Sequence, residues 1–315
     1  MTLHKLEEFL TGDAFDQFEW DGKRARSQLT GHLVPESGLS SLTSWLKPFS
    51  IKAHAGLPPF QGGAIGELDY DDGNYHHRIR GTTTRPNALL ARFGLYDWVI
   101  ARDNRNGRSW LICQNLDPRP GRSLHNRLEL LSCPGKRTET QSPKPAPITC
   151  DLPRTEYLGM INRCIEYIAA GDAYQVCIAR RLSGRLPNSP WQVYQQLSKK
   201  YPAPMAAFLK KSDGATISIS PETFLRGSQD IIETRPIKGT RPRSPDIEED
   251  KRLANALKMS DKDRAENVMI VDVLRNDLGR IAIPGTVEVP NLVDLRSWPT
   301  VHHLESRITA KPEIG

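Results

Sequence analysis

The sequence predicts an α+β fold, with strands paired in hairpins and helices in separate, capped stretches. Two observations carry this. Asn106-Gly107 and Asp213-Gly214, pairs that tight hairpin turns favour, each separate two strand-like runs. Capping residues followed by helical spacing recur at Thr155, Ser189, Asp246 and Ser260. No internal repeat is visible.

At 315 residues the chain has the length for one large domain or two ordinary ones. With 38% hydrophobic and 25% charged residues it reads as soluble and globular, not disordered. No run of about eighteen apolar residues could span a membrane. The opening residues are too polar for a secretory signal. The five cysteines, Cys113, Cys133, Cys150, Cys164 and Cys177, lack metal or redox spacing, and their odd number argues against a disulfide framework. A reducing cytoplasm is the expected location. The net charge of +6 is spread among 37 acidic residues, with no long basic run and no aromatic interleaving. That favours a small anionic substrate over nucleic acid.

The first 58 residues offer little beyond a short helical pattern, Leu39, Leu42, Trp45 and Leu46, ended by Pro48. Phe60 to Gly66 reads as a glycine-rich strand. Arg92 to Ala101 and Ser109 to Cys113 form the first hairpin, and Ser123 caps a helix to Leu131. Cys133 to Pro153, rich in Pro, Lys, Thr and Ser, reads as a linker. It divides an N-terminal region, 1–132, from a second domain, 154–315.

Thr155 is expected to cap a helix with Leu158, Ile161, Ile165 and Ile168 on one face, stopped by Gly171. A strand is expected at Tyr174 to Ala179, and Ser189-Pro190 opens another helix. Ala206 to Leu209 and Ala215 to Ser220 form the second hairpin. Ile231 to Arg235 is a strand that delivers Lys238 into a following loop. Two helices follow, opened by Asp246 and Ser260.

The stretch Glu233 to Arg243 holds the most chemistry. Pro236 stiffens the chain before Lys238, Gly239 lets a substrate approach the backbone, and Arg235, Arg241 and Arg243 lie nearby. Neighbouring cations favour the neutral amine of a lysine, its nucleophilic form. Downstream, Asp263 and Glu266 share one helical face, where two carboxylates suit Mg²⁺. Either feature alone is more often a solvated surface.

Taken together, Gly171 to Val176, Ser220-Pro221-Glu222, Arg235 to Arg241, Lys262 to Asn267, Val271 to Arg280 and Val301 to Leu304 resemble the chorismate-utilising enzymes. The resemblance runs from about Phe60 to Gly315, and Pro236-Ile237-Lys238-Gly239-Thr240 is its most specific part. Lys238 makes the chain similar to the aminodeoxychorismate synthase component I branch, because anthranilate synthases typically carry alanine there. The resemblance implies two facing, mostly antiparallel sheets with helices outside. It also implies amination of chorismate to 4-amino-4-deoxychorismate, on the route to p-aminobenzoate and folate, with ammonia from a glutamine amidotransferase partner (component II).

On the matching residues, Lys238 would attack the ring, Glu222 would be the general acid for the departing hydroxyl, and His303 would lie beside the ring. His302 is the lesser candidate of the histidine pair. Glu266 would bind Mg²⁺ with Asp263 adjacent, and Gln175, Gly239 and Thr240 would contact substrate. Relatives that add water to chorismate carry a lysine where Gln175 stands, and a neutral amide cannot serve as that base.

The family's later glycine-rich loop and further Mg²⁺ ligands have no counterpart before Gly315, and its opening serine motif is not found. Cys177 replaces an asparagine of a family tryptophan site, so tryptophan binding is not expected. The resemblance thus implies a chain short at both ends, with an incomplete catalytic domain and exposed apolar strand edges. Two rival readings remain: an anthranilate synthase large component, and an inactive fragment that only binds a partner, either the amidotransferase or a complementing C-terminal segment.

Overall fold

A computed structural model describes residues 7–27, 39–73, 89–132, 147–186, 188–228 and 230–313. The N-terminal part comprises β1 (Glu7–Leu10), β2 (Asp16–Trp20), β3 (Ala25–Ser27), α1 (Leu39–Leu46), β4 (Gly63–Leu68), β5 (Ala91–Tyr96), β6 (Trp98–Asp103), β7 (Ser109–Cys113) and α2 (Leu124–Ser132). The strands form two antiparallel sheets, ordered β3-β2-β5-β4 and β1-β6-β7.

The hairpin around Asn106-Gly107 is β6–β7, but the long strand expected from Arg92 to Ala101 is two strands in different sheets. Asp97 divides them. Its buried carboxylate pairs with Arg127 at 3.1 Å and accepts from the Asp117 amide, so the chain pivots there from one sheet to the next. The expected face of α1 is real: Trp45 packs with Phe15, Phe18, Trp20 and Leu95, and Leu42 and Leu46 support it. Asp16 is buried against this core because it accepts from Trp45 Nε1 and Ser27 Oγ.

The middle of the chain comprises β8 (Ile148–Cys150), α3 (Arg154–Ala170), β9 (Leu182–Gly184), α4 (Pro190–Lys200), β10 (Met205–Lys211) and β11 (Gly214–Ser220). Of the expected linker, 133–146 lie outside the described residues, and its end is corrected: Ile148–Cys150 pairs with β9. Thr155 lies inside α3, whose N-cap is Pro153, while Gly171 ends the helix in the left-handed conformation at φ +82°. No strand forms at Tyr174 to Ala179. Among the described residues no neighbouring strand completes a ladder there, and Tyr174 and Val176 are exposed. The apolar face of α3 buries none of its residues, and Ile165 is 58% exposed. Ser189 opens α4 with a reciprocal capping box, and β10–β11 is the second hairpin.

The last part comprises β12 (Thr223–Gly227), β13 (Ile232–Arg235), β14 (Ile237–Pro242), α5 (Ile247–Lys258), α6 (Asp261–Gly279), β15 (Glu288–Ser297) and β16 (Val301–Ala310). β16 is the axis of an antiparallel five-stranded sheet. It pairs with β15 along one edge and with β14 and then β13 along the other, and β12 lies beyond β13. Lys238 therefore stands within a strand, not in a loop. The break after β13 is only Pro236, whose carbonyl still accepts from Ser306 N at 3.0 Å.

Helices α5 and α6 cover one face of this sheet. Val271 and Leu278 pack on Ile308 and Ala310, and Leu257 packs on Val293 and Leu304. A buried polar chain fixes α6 to two strands: Val293 N donates to Ser306 Oγ, Ser306 Oγ to Asn267 Oδ1, and Asn267 Nδ2 to the Leu304 carbonyl. Phe224 on β12 is 75% exposed. No helix among the described residues is long and apolar enough to cross a membrane.

A candidate active site around Lys238

The strand β14 is bulged at Gly239. Its register passes from Lys238 opposite Leu304 to Thr240 opposite His303, leaving Gly239 without a partner residue. Gly239 is held at φ +78°, and a Cβ there would stand 2.9 Å from Asp263 Cβ and 3.0 Å from Leu257 Cδ1. Only glycine permits both the backbone turn and this contact with α5 and α6. The result is that the first turns of α6 lie directly against the strand that carries Lys238.

Glu222 reaches the same strand from the β11–β12 connection. Its Oε1 accepts from Ile237 N at 3.0 Å, one residue before Lys238. Ser220 Oγ accepts from Glu222 N, which fixes the turn locally. A cavity of about 390 Å³ opens beside Glu222, lined by Phe224, Pro236, Ile270 and Leu274 with Thr223 and Thr234. Lys238 Nζ donates to the Ile237 carbonyl at 2.9 Å and makes no ion pair among the described residues.

The expected field of bare arginines around Lys238 is corrected. Arg235 pairs with Glu233, Arg241 with Asp263 at 3.0 Å, and Arg243 with Asp250 at 2.8 Å. Each guanidinium meets a carboxylate, so the positive charges near Lys238 are locally balanced.

Asp263 and Glu266 project from one side of α6 but meet different partners. Asp263 Oδ2 accepts from Arg241, whereas Glu266 Oε1 accepts from Gln175 Nε2 at 3.2 Å. Glu266 Oε2 has no protein partner among the described residues. Among the described residues no group of three His, Cys, Asp or Glu side chains could hold a metal ion. The residues present offer one available carboxylate, which fits Mg²⁺ because that ion keeps waters and takes much of its shell from an anionic substrate.

His303 is buried at 8% exposure, with Nδ1 3.0 Å from Thr240 Oγ1 and 3.3 Å from the Gly239 carbonyl. Burial pushes its pKa below the ordinary value, against the pull of the Gly239 carbonyl and the nearby Glu222 and Glu305 carboxylates. His302 points to the other face of β16. There it contacts Asp250 Oδ1 at 3.0 Å and Ser297 Oγ at 2.8 Å, tying α5 to the β15–β16 turn.

The sheet face that bears His303 also carries a row of alternating charges. Glu233 lies between Arg235 and Arg307, and Glu305 between Arg235 and Arg296. Burial would raise the Glu233 carboxyl, but the bonds from Arg235 and Arg307 outweigh it and hold its pKa below the ordinary range.

The structure thus brings Lys238, Gly239, Thr240, Glu222 and His303 to one bulged strand, with Asp263, Glu266 and Gln175 at its flank. The buttresses were not expected: Arg241 to Asp263, Arg243 and His302 to Asp250, and Asn267 to Ser306. Asn267 did carry a signal, because asparagine in a helix interior is a poor helix former and needs a tertiary reason. A larger groove of about 810 Å³ lies on the opposite flank of α6, against Val289 and Leu292, and holds none of the expected residues.

A family model for the chorismate binding enzyme matches residues 16–315, reaching further toward the N-terminus than the motifs alone. The chain is 38% identical over 257 residues to aminodeoxychorismate synthase component 1 of Salmonella typhimurium, covering 80% of this chain and 54% of that protein. It is 35% identical over 271 residues to anthranilate synthase component 1 of Thermus thermophilus, covering 82% of this chain and 56% of that one. The chain thus spans about half the length of the curated relatives it matches. The crystal structure of anthranilate synthase component I from Streptococcus pneumoniae superposes with a TM-score of 0.84 at 23% identity, covering 100% of this chain and 71% of that one. The α+β fold is common to both.

Proposed function

The chain belongs to the chorismate binding enzyme family, and on that footing we propose that it aminates chorismate to 4-amino-4-deoxychorismate through Lys238. The observation that supports this most is the anchoring of the Glu222 carboxylate by the Ile237 amide at 3.0 Å, one residue before Lys238 in the chain. A nucleophilic amine and a carboxyl group on neighbouring elements are what displacement of a ring hydroxyl needs.

In this reading Lys238 Nζ bonds to ring carbon C2, both ring double bonds shift, and the C4 hydroxyl leaves as water with a proton from Glu222. Ammonia then bonds to C4, both double bonds shift back, Lys238 departs from C2 as the amine, and the new ammonium returns a proton to Glu222. The net exchange is one ammonia in and one water out. Glu266 would hold Mg²⁺, which supplies positive charge for a substrate carboxylate. Asp263 holds Arg241 and packs on Gly239, so its part is to keep the lysine strand in place. Gln175 orients Glu266 and is no base for water, which favours an amine as the incoming group. Several relatives are named as component 1 of their enzymes, which supports a second component here, a glutamine amidotransferase delivering ammonia.

The test is chorismate consumption by the purified chain with Mg²⁺ and an ammonium salt, with products identified by mass. Formation of 4-amino-4-deoxychorismate, abolished in Lys238→Ala, is expected. Fluorescent anthranilate as product would instead place the chain with the anthranilate synthases, to which its fold is also similar.

A further inference from the structure

The bulge in β14 gives His303 an unusual pair of neighbours. Gly239 has no residue opposite it in the register. Its carbonyl lies 3.3 Å from His303 Nδ1. A carbonyl oxygen only accepts, so this contact is a hydrogen bond only when Nδ1 carries the proton. Thr240 Oγ1, 3.0 Å from the same nitrogen, can then accept from it as well. His303 Nε2 has no protein partner among the described residues.

We infer that the Gly239 carbonyl and the Thr240 hydroxyl hold His303 as the neutral Nδ1–H tautomer, so that Nε2 presents a lone pair and accepts from a hydroxyl or amine of the substrate. Thr240 is then a positioning residue, acting through the imidazole. A ring of the opposite tautomer would donate from Nε2 and favour a carboxylate there instead. Burial supports the neutral form. The groups facing the ring divide: Glu222 and Glu305 favour its protonation, whereas His302 opposes it. Arg296, opposite His303 on β15, is already bonded to Glu305.

The tautomer is a property of the free chain; the use of Nε2 rests on the chorismate reading. The experiment is nitrogen NMR of the full chain labelled with ¹⁵N-histidine, the His303 signals being assigned by their loss in His303→Gln. At neutral pH a pyrrole-like Nδ1 and a pyridine-like Nε2 are expected. Thr240→Val should move Nε2 toward the pyrrole-like range, and Thr240→Ser should restore it. A wild-type ring protonated at Nε2 overturns the inference, and a Thr240→Val spectrum identical to wild type removes Thr240 from it. Chorismate should move the Nε2 signal upfield in the wild type. An unmoved signal from a ring of the expected tautomer counts against chorismate binding and leaves the tautomer standing.

Discussion

At Lys238 the decisive neighbour is a glycine. Gly239 combines a positive φ with contact distances of 2.9 and 3.0 Å for an added Cβ. Gly239→Ala should therefore cost about 2 kcal/mol or more in urea unfolding, as the strained backbone and displaced α6 both contribute. Gly214, whose added Cβ would meet nothing within 4 Å, is the control for φ strain alone. Sequence reasoning read Gly239 as letting a substrate approach the backbone, whereas the groups that approach it are Asp263 and Leu257. It also could not find the partners of the arginines. Arg235, Arg241 and Arg243 look like one cationic cluster in linear order, and only the fold brings a carboxylate to each. Arg241→Ala should release Asp263 and lower the activity of the proposed enzyme more than its stability, since the pair borders the lysine strand without being buried in the core. Comparing the midpoint of thermal unfolding with turnover of chorismate checks this.

The elements differ in how far local sequence decided them. The hairpin at Asp213-Gly214 and the helices opened by Ser189 and Ser260 were readable because turn and cap chemistry are local. The strand expected at Tyr174 to Ala179 was not, because a strand exists only where a neighbour supplies its ladder. Lys238 was expected in a loop for a related reason: Pro236 looks like a strand terminator, yet it occupies a one-residue break between two strands on the same edge of β16. The cohesion of α6 with the sheet depends on Ser306, which receives from Val293 N and donates to Asn267. Ser306→Ala leaves both groups buried and unmatched, and about 3 kcal/mol of stability should be lost. Val293 itself sits at φ +56°, an unfavourable place for a β-branched residue, and its amide bond to Ser306 helps hold it there.

For the whole molecule, charge pairing on the five-stranded sheet sets the response to acid. The folded pKa of Glu233 lies below its ordinary 4.5 and that of Asp250 below its ordinary 3.8. Depressed carboxyls contribute stability that is full above their unfolded values and is lost as pH falls through the folded ones. Urea midpoints should accordingly be flat near neutrality and decline below about pH 4.5, with the decline shallower in Glu233→Gln. The overall α+β character and the residues around Lys238 were legible from short motifs, whereas the pivot at Asp97 between two N-terminal sheets depends on Arg127 and Asp117, partners too distant in sequence to infer. The central claim, that Lys238 forms a bond to chorismate, is tested most directly by the intact mass of the chain after incubation with chorismate and Mg²⁺ in the absence of ammonia. A mass increase equal to chorismate less one water, mapped to Lys238 and absent from Lys238→Ala, is the predicted result. Chorismate converted with no adduct on Lys238, or an adduct that persists in Lys238→Ala, would contradict it.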